Sequence, residues 1–259
     1  MRVTFLGTGT SYGIPMPACT CPVCTSPDPR DRRYRTSLLF TAADGFNLLL
    51  DTPPDFRSMA LENAISRIDA VLISHIHADH IFGFDDLRPF SVRRPADPIP
   101  VWASAGTAAD MRRIFSYLDA PPIPGTSLAR VTLSVPTGPF SVGPFRVVPL
   151  PVEHGRADML GWRVEADGRA AVAITDCKRI PPSTMALCHD ADLAVVDCLR
   201  IRPHPTHFTV PETIDALRQM APRRGYGIHL CHELSHAAAT ALLAPHAFAP
   251  AHDRLSLPL

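Results

Sequence analysis

Apolar residues in this chain fall in short runs, rich in β-branched side chains and closed off by turn formers, which is the pattern of strands. Such runs predict strands over Val3–Leu6, Ser37–Thr41, Phe46–Leu50, Ala70–Ile73, Ile99–Ala103 and Val131–Val135. Further runs cover Phe145–Leu150, Leu160–Val164, Ala170–Ile174, Leu193–Val196 and Tyr226–Ile228. Asp44-Gly45 separates the second strand from the third and tolerates the positive φ of a tight turn, so these two form a hairpin. Helical spacing is found over Asp55–Asn63, Ala108–Leu118, Pro181–Cys188, Pro211–Met220 and His236–Leu243. Pro211 suits a helix start, where its missing N–H would be unpaired anyway.

Hairpins come first and alternation with helices later, an order that predicts an α/β architecture of two packed sheets with helices on the outer faces. No repeat and no low-complexity linker divides the chain, so one domain over residues 1–259 is expected. Prolines, 28 in all, crowd near 95 to 100, 121 to 124 and 203 to 211, where they should stiffen loops.

The polar residues that interrupt this pattern sit where the apolar strands stop. His75, Asp176, Asp197 and His229 each follow such a run, so one end of a sandwich could gather them. In Ser74-His75-Ile76-His77-Ala78-Asp79-His80, four side chains suited to metal fall within six positions. Alternate residues of an extended segment face the same way, so His75 and His77 can turn to one ion while Asp79 and His80 turn to another. Imidazole with carboxylate suits zinc, manganese or iron. Later segments add His154, Asp176 and His229, with the Cys177 thiol beside Asp176 as an alternative donor. Asp51, after Leu48-Leu49-Leu50, is expected either to orient ligand histidines from behind or to cap the helix that follows.

Charge narrows the partners. Lys+Arg 25 balances Asp+Glu 25, so nothing supplies the positive field of sequence-independent nucleic-acid binding. Hydrophobic residues at 46% are enough for a sizeable core, and the opening residues are too short an apolar stretch for a signal peptide or membrane span. A cytoplasmic protein acting on a small molecule, away from membranes, is the expectation, with a homodimer left open. Seven cysteines are an odd number, and Cys19, Cys21 and Cys24 form a C-x-C-x2-C cluster that can wrap one tetrahedral zinc given a fourth ligand.

The H-x-H-x-D-H loop, then a strand-end histidine, an aspartate after a strand and a last histidine resemble the metallo-β-lactamase superfamily signature over nearly the whole chain. That resemblance implies an αββα sandwich and two catalytic divalent metals, zinc or manganese. His75, His77 and His154 would hold the first, Asp79, His80 and His229 the second, and the Asp176 carboxylate would bridge them, with hydroxide as nucleophile. Leu6-Gly7-Thr8-Gly9-Thr10-Ser11 through Cys24 is similar to the PhnP cyclic-phosphate phosphodiesterases. In that subgroup three cysteines and a histidine hold a structural zinc, which implies Cys19, Cys21, Cys24 and His232 here, with His236 and then Cys231 as competing fourth ligands.

The same resemblance places His207 as the group that stabilises the scissile phosphate or protonates the leaving oxygen, with His204 second. It makes His207, Asp79 and Asp176 the catalytic residues. Arg57, Arg88, Arg200 and Arg202 are candidates to contact phosphate. The implied reaction is hydrolysis of a small cyclic phosphodiester, of the ribose 1,2-cyclic phosphate or 2′,3′-cyclic nucleotide type. Asp85-Asp86-Leu87-Arg88-Pro89-Phe90 departs from the pathway enzyme of that subgroup and resembles its broader relatives. Two other readings are an RNA-processing hydrolase like tRNase Z and a non-hydrolytic carrier like PqqB, which shares the cysteine motif.

Overall fold

The computed structural model describes residues 1–92, 97–119 and 128–259. Two sheets of seven strands account for most of its regular structure. The first uses β1 (Arg2–Gly7), β2 (Ser37–Thr41), β3 (Asn47–Leu50), β4 (Ala70–Leu72), β5 (Ile99–Trp102) and β6 (Val131–Ser134). The second uses β7 (Phe140–Val142), β8 (Phe145–His154), β9 (Ala157–Ala166), β10 (Arg169–Ile174), β11 (Leu193–Asp197), β12 (Gly225–Ile228) and β13 (Phe248–Pro250). Finally β14 (Ser256–Pro258) returns to the first sheet, antiparallel to β1.

Each sheet is mixed. β1, β2 and β3 pair antiparallel, and β3 through β6 run parallel. In the second sheet β7 to β10 pair antiparallel and β10 to β13 run parallel. The β2–β3 turn is the expected hairpin: Gly45 has φ of 83° and its N–H donates to Ala42 O, while Asp44 accepts from Phe46 N.

Continuous apolar runs, rather than alternating ones, are explained by burial on both faces. Along β2 and β3, Leu38, Phe40, Leu48 and Leu50 turn inward to meet Val147, Trp162, Val164 and Val195 of the other sheet. Leu39 and Leu49, one position out of phase, turn outward onto Phe56 and Met59. Those two lie on α1 (Phe56–Glu62); α2 (Ala78–Ile81), α3 (Arg88–Val92) and α4 (Ala105–Ile114) follow in the first half. The second half carries α5 (Pro182–Leu187), α6 (Val210–Met220) and α7 (His236–Leu243). Leu217 and Met220 of α6 cover Val172, Ile174 and Val196 on the outer face of the second sheet. Helix, sheet, sheet and helix thus form the four-layer αββα sandwich, and each fully buried Leu or Val contributes on the order of 2 kcal/mol.

Several boundaries differ from those expected on sequence. β8 and β9 are ten residues each, longer than expected, because polar residues such as Glu153, Arg163 and Glu165 alternate outward along a hairpin whose apolar positions stay buried. The helix expected over Ala108–Leu118 begins at Ala105, where the Ser104 hydroxyl accepts from Thr107 N, and stops at Ile114 before a 3-10 turn. Of the proline-rich stretches, Pro100 lies inside β5, while residues 95–96 and 121–124 fall outside the described residues. Among the described residues no helix is long and apolar enough to cross a membrane.

Candidate metal centre

Strand ends deliver the polar cluster. His154 and Asp197 are the last residues of β8 and β11, Asp176 stands two residues beyond β10, and His229 directly follows β12. His229 has φ of 62°, a left-handed conformation costly for a residue with a Cβ, of order 1 kcal/mol. From the first sheet, β4 leads through Ser74 to His75. His77 then stands at the start of the one-turn α2, which carries Asp79 and His80. That short turn redirects the second half of the motif away from the first half.

The residues named from the sequence converge. Ligand atoms of His75, His77 and His154 lie within 4.8 Å of one another, as do those of Asp79, His80 and His229. Asp176 stands between the two sets: Oδ1 is 3.3 Å from His80 Nε2, and Oδ2 is 3.2 Å from His229 Nε2 and 3.9 Å from His154 Nε2. All of these residues are buried except His77. His80 Nε2, His229 Nε2 and Asp176 Oδ1 have no hydrogen-bond partner despite their burial. Buried polar atoms left without partners cost about 1–3 kcal/mol each, so their convergence fits a divalent cation, which takes several such ligand atoms at once.

Supporting groups set which nitrogen faces inward. His80 Nδ1 donates to Asp51 Oδ2 at 2.7 Å, and His154 Nδ1 donates to Thr206 O at 2.8 Å, leaving Nε2 of each ring for the centre. Asp51 also accepts from Ser74 N and Ser74 Oγ, both at 2.7 Å. Its role is therefore to orient, not to cap, since α1 starts after Asp55. Cys177 is fully buried in the outer core of the second sheet, so its thiol is not among the converging donors.

The centre is strongly polarised. Burial pulls His80 down, but the carboxylates of Asp176, Asp79 and Asp51 outweigh it and hold its pKa well above 6.5. Burial would raise Asp176, yet His229 and His80 hold it well below the carboxylate range. Burial also holds His75 well below 6.5, as the neutral ligand form requires.

His207 stands beside the donors. Its ring stacks on His229 with centroids 4.8 Å apart, and its Nδ1 donates to Asp197 Oδ2 at 2.9 Å. On sequence Asp197 was marked only by its place at a strand end. In the fold it acts as a connector, because the same oxygen accepts from Cys177 N at 2.9 Å and so joins the Asp176 segment to His207. His204 packs on His207 at 4.9 Å between ring centroids, but its Nδ1 turns back to Thr206. Arg200 and Arg202 are both paired with Glu233, Arg88 lies 3.5 Å from Asp85, and Arg57 is exposed on α1.

A second cluster holds Cys19, Cys21, Cys24 and His232 with all ligand atoms within 4.8 Å. His232 Nδ1 is 3.2 Å from Cys19 Sγ and 3.5 Å from Cys21 Sγ. Backbone N–H groups of Cys24 and Met16 donate to the sulfurs of Cys21 and Cys24, which suits thiolates. The Cys24 N–H leads in bringing Cys21 down to about 6, while burial leads in pushing Cys24 up to about 11. His236 and Cys231 are outside this group: the His236 N–H donates to Asp31, and the Cys231 sulfur accepts from Glu233 N.

Comparison with known proteins agrees with this geometry. The Beta-lactamase superfamily domain matches residues 46–230. A solved structure described as a new diphosphatase from the PhnP family superposes with a TM-score of 0.90 at 34% identity, covering 100% of this chain and 97% of that one. Zinc-bound PqqB from Methylobacterium extorquens shares the fold, with a TM-score of 0.83 at 20% identity over 100% of both chains. An octanoyltransferase of Porphyromonas gingivalis (strain ATCC BAA-308 / W83) is 37% identical over 95% of this chain, which spans only 49% of that protein's length. Family match, fold and converging donors agree: the chain belongs to the metallo-β-lactamase superfamily, in its PhnP-like branch.

Proposed function

We propose that this chain is a metal-dependent phosphoric diester hydrolase acting on a small phosphodiester, with ribose cyclic phosphates as the first substrate class. The observation that carries the reading is the position of Asp176 between two triads of donors, with His207 held alongside by Asp197. His75, His77 and His154 would hold one cation, Asp79, His80 and His229 the other, and Asp176 both. Zinc and manganese both suit this donor set, and the thiolate cluster suits a structural zinc. Paired divalent cations supply Lewis acidity and lower the pKa of water.

The chain's own residues do the rest. With Nδ1–H committed to Asp197, the His207 ring turns Nε2 to the substrate, and in its imidazolium form it would donate the Nε2 proton to a phosphoryl oxygen or to the leaving oxygen. Asp197 holds that ring in one orientation. Asp51 and Thr206 O fix His80 and His154 in the same way, so the donors need little rearrangement. The balanced overall charge supports a small substrate over RNA, and the free thiols suit the reducing cytoplasm.

The diphosphatase activity of the PhnP-family relative brings a phosphoanhydride to this chain as a second substrate class. Octanoyl transfer belongs to a protein about twice as long and is not carried over. The test is cleavage of bis(p-nitrophenyl) phosphate by purified protein and by His75→Ala. Ribose cyclic phosphates, a nucleoside diphosphate and precursor tRNA are then compared. Turnover of the diester that disappears in His75→Ala is expected. No turnover by fully metal-loaded protein would overturn the reading in favour of a PqqB-like carrier.

A further inference from the structure

We propose that Lys178 is a positioning residue that holds the His207 backbone in register with the metal donors, a proposal that rests on the reading of His207 above. Lys178 is the only lysine in a chain with Lys+Arg 25. It stands two residues beyond Asp176. Its Nζ lies 2.6 Å from Glu212 Oε1 and 3.4 Å from the carbonyl oxygen of His207. Its own backbone is held as well, because Lys178 N donates to Glu153 O at 2.6 Å, next to His154.

Glu212 makes the arrangement cooperative. Its second oxygen accepts from Thr209 N and Thr209 Oγ1, both at 2.7 Å, so one carboxylate caps α6 and receives the ammonium. The start of α6 is thereby locked immediately after the segment that bears His207. From the other side, Cys177 N donates to Asp197, which holds the His207 ring. Residues 176, 177 and 178 therefore meet, in turn, the metal donors, the partner of the His207 ring and the His207 carbonyl. Displacing His207 requires breaking contacts with the same tripeptide that places Asp176.

A compact ammonium with three divergent donors can meet a carboxylate and a carbonyl together, whereas a planar guanidinium presents its donors in a fixed fork. The Lys178–Glu212 pair is 32% and 39% exposed, so as a surface ion pair it adds little to stability. Placement and stability can for this reason be measured apart.

The experiment compares metal-loaded wild type, K178M, K178R, H207N and K178M/H207N on bis(p-nitrophenyl) phosphate. Melting temperature, metal content and the 15N resonances of the His207 imidazole are recorded alongside. K178M should lower kcat about tenfold with KM within about twofold, the size of effect expected from misplacing a reacting group. Metal content and melting temperature should stay near wild type, K178R should recover part of the rate, and the His207 resonances should shift in K178M. In the H207N background K178M should cost nothing more. Wild-type kcat in K178M, or a full additional loss in K178M/H207N, would overturn the proposal. Unchanged kcat in H207N alone would instead overturn the role given to His207, and this inference with it.

Discussion

His80 donates from Nδ1 to Asp51 Oδ2 across 2.7 Å, with both side chains fully buried. Asp51 reaches this position from the end of β3 with φ of 62°, while Ser74, ahead of the ligand loop, gives it two further hydrogen bonds. Asp51→Asn keeps the shape and removes the charge that fixes the ring. Metal affinity should fall about 10- to 100-fold. Competition with a chelator, read by elemental analysis, checks this; unchanged affinity would mean that His80 needs no such support.

His207→Ala removes the imidazole held by Asp197 while leaving every named metal donor in place. The rate on a diester should drop about 100- to 10,000-fold, the usual contribution of a positioned acid or base. Metal content should be unaltered. If the metals are lost along with the rate, His207 is a ligand, and its 3.8 Å approach to Asp176 would take on that meaning.

Removing one sulfur from the thiolate cluster tests a purely structural ion. Cys21→Ser should lower the metal content by one per chain and the melting temperature by about 5–10 °C, as a loss of a few kcal/mol does in a domain of this size. Activity per loaded catalytic site should survive. Because His232 is three residues beyond His229, a modest rise in the exchange rate of the catalytic metals is also expected.

Asp253 supplies a pH dependence away from both clusters. Burial leads in raising its carboxyl to about 7, against the lowering effect of hydrogen bonds from Thr8 and Tyr34 N. An aspartate raised in the folded state binds its proton there while the unfolded chain has lost it. Its contribution to stability is full below about pH 4 and is lost as the pH rises through about 7. The change should be on the order of 1–3 kcal/mol after allowing for partial solvent contact. Asp253→Asn keeps an acceptor for Tyr34 N and can donate to the rotatable Thr8 hydroxyl, so it should flatten this slope in denaturant titrations at pH 5 and 8. A wild-type slope in the variant would show that another group titrates.

Much of the centre was legible because several donors break an apolar run at the point where a strand stops. His75, Asp176 and His229 stand out for that reason, and the H-x-H-x-D-H spacing supplied the rest. Asp197 carried the same signal but no role, since its partners Cys177 N and His207 Nδ1 are brought to it only by the pairing of β10 with β11. The family resemblance put His232 ahead of His236, but the residues alone did not separate them. Both follow the last catalytic histidine closely, and only the turn before α7 sends one ring to the cysteines and the other to His252. β7, β13 and β14 were missed because a three-residue edge strand has too little alternation to register. Their pairing comes from neighbours already in place.

The two triads and Asp176 draw on both halves of the sandwich: four donors hang from the β4 side and the remaining three from β8, β10 and β12. Ions seated there would act as rivets across the seam. Any slippage of one sheet over the other would change how the two sets of donors face each other. The apolar core that Leu50 and Trp162 share between the sheets thus helps set how those donors face each other.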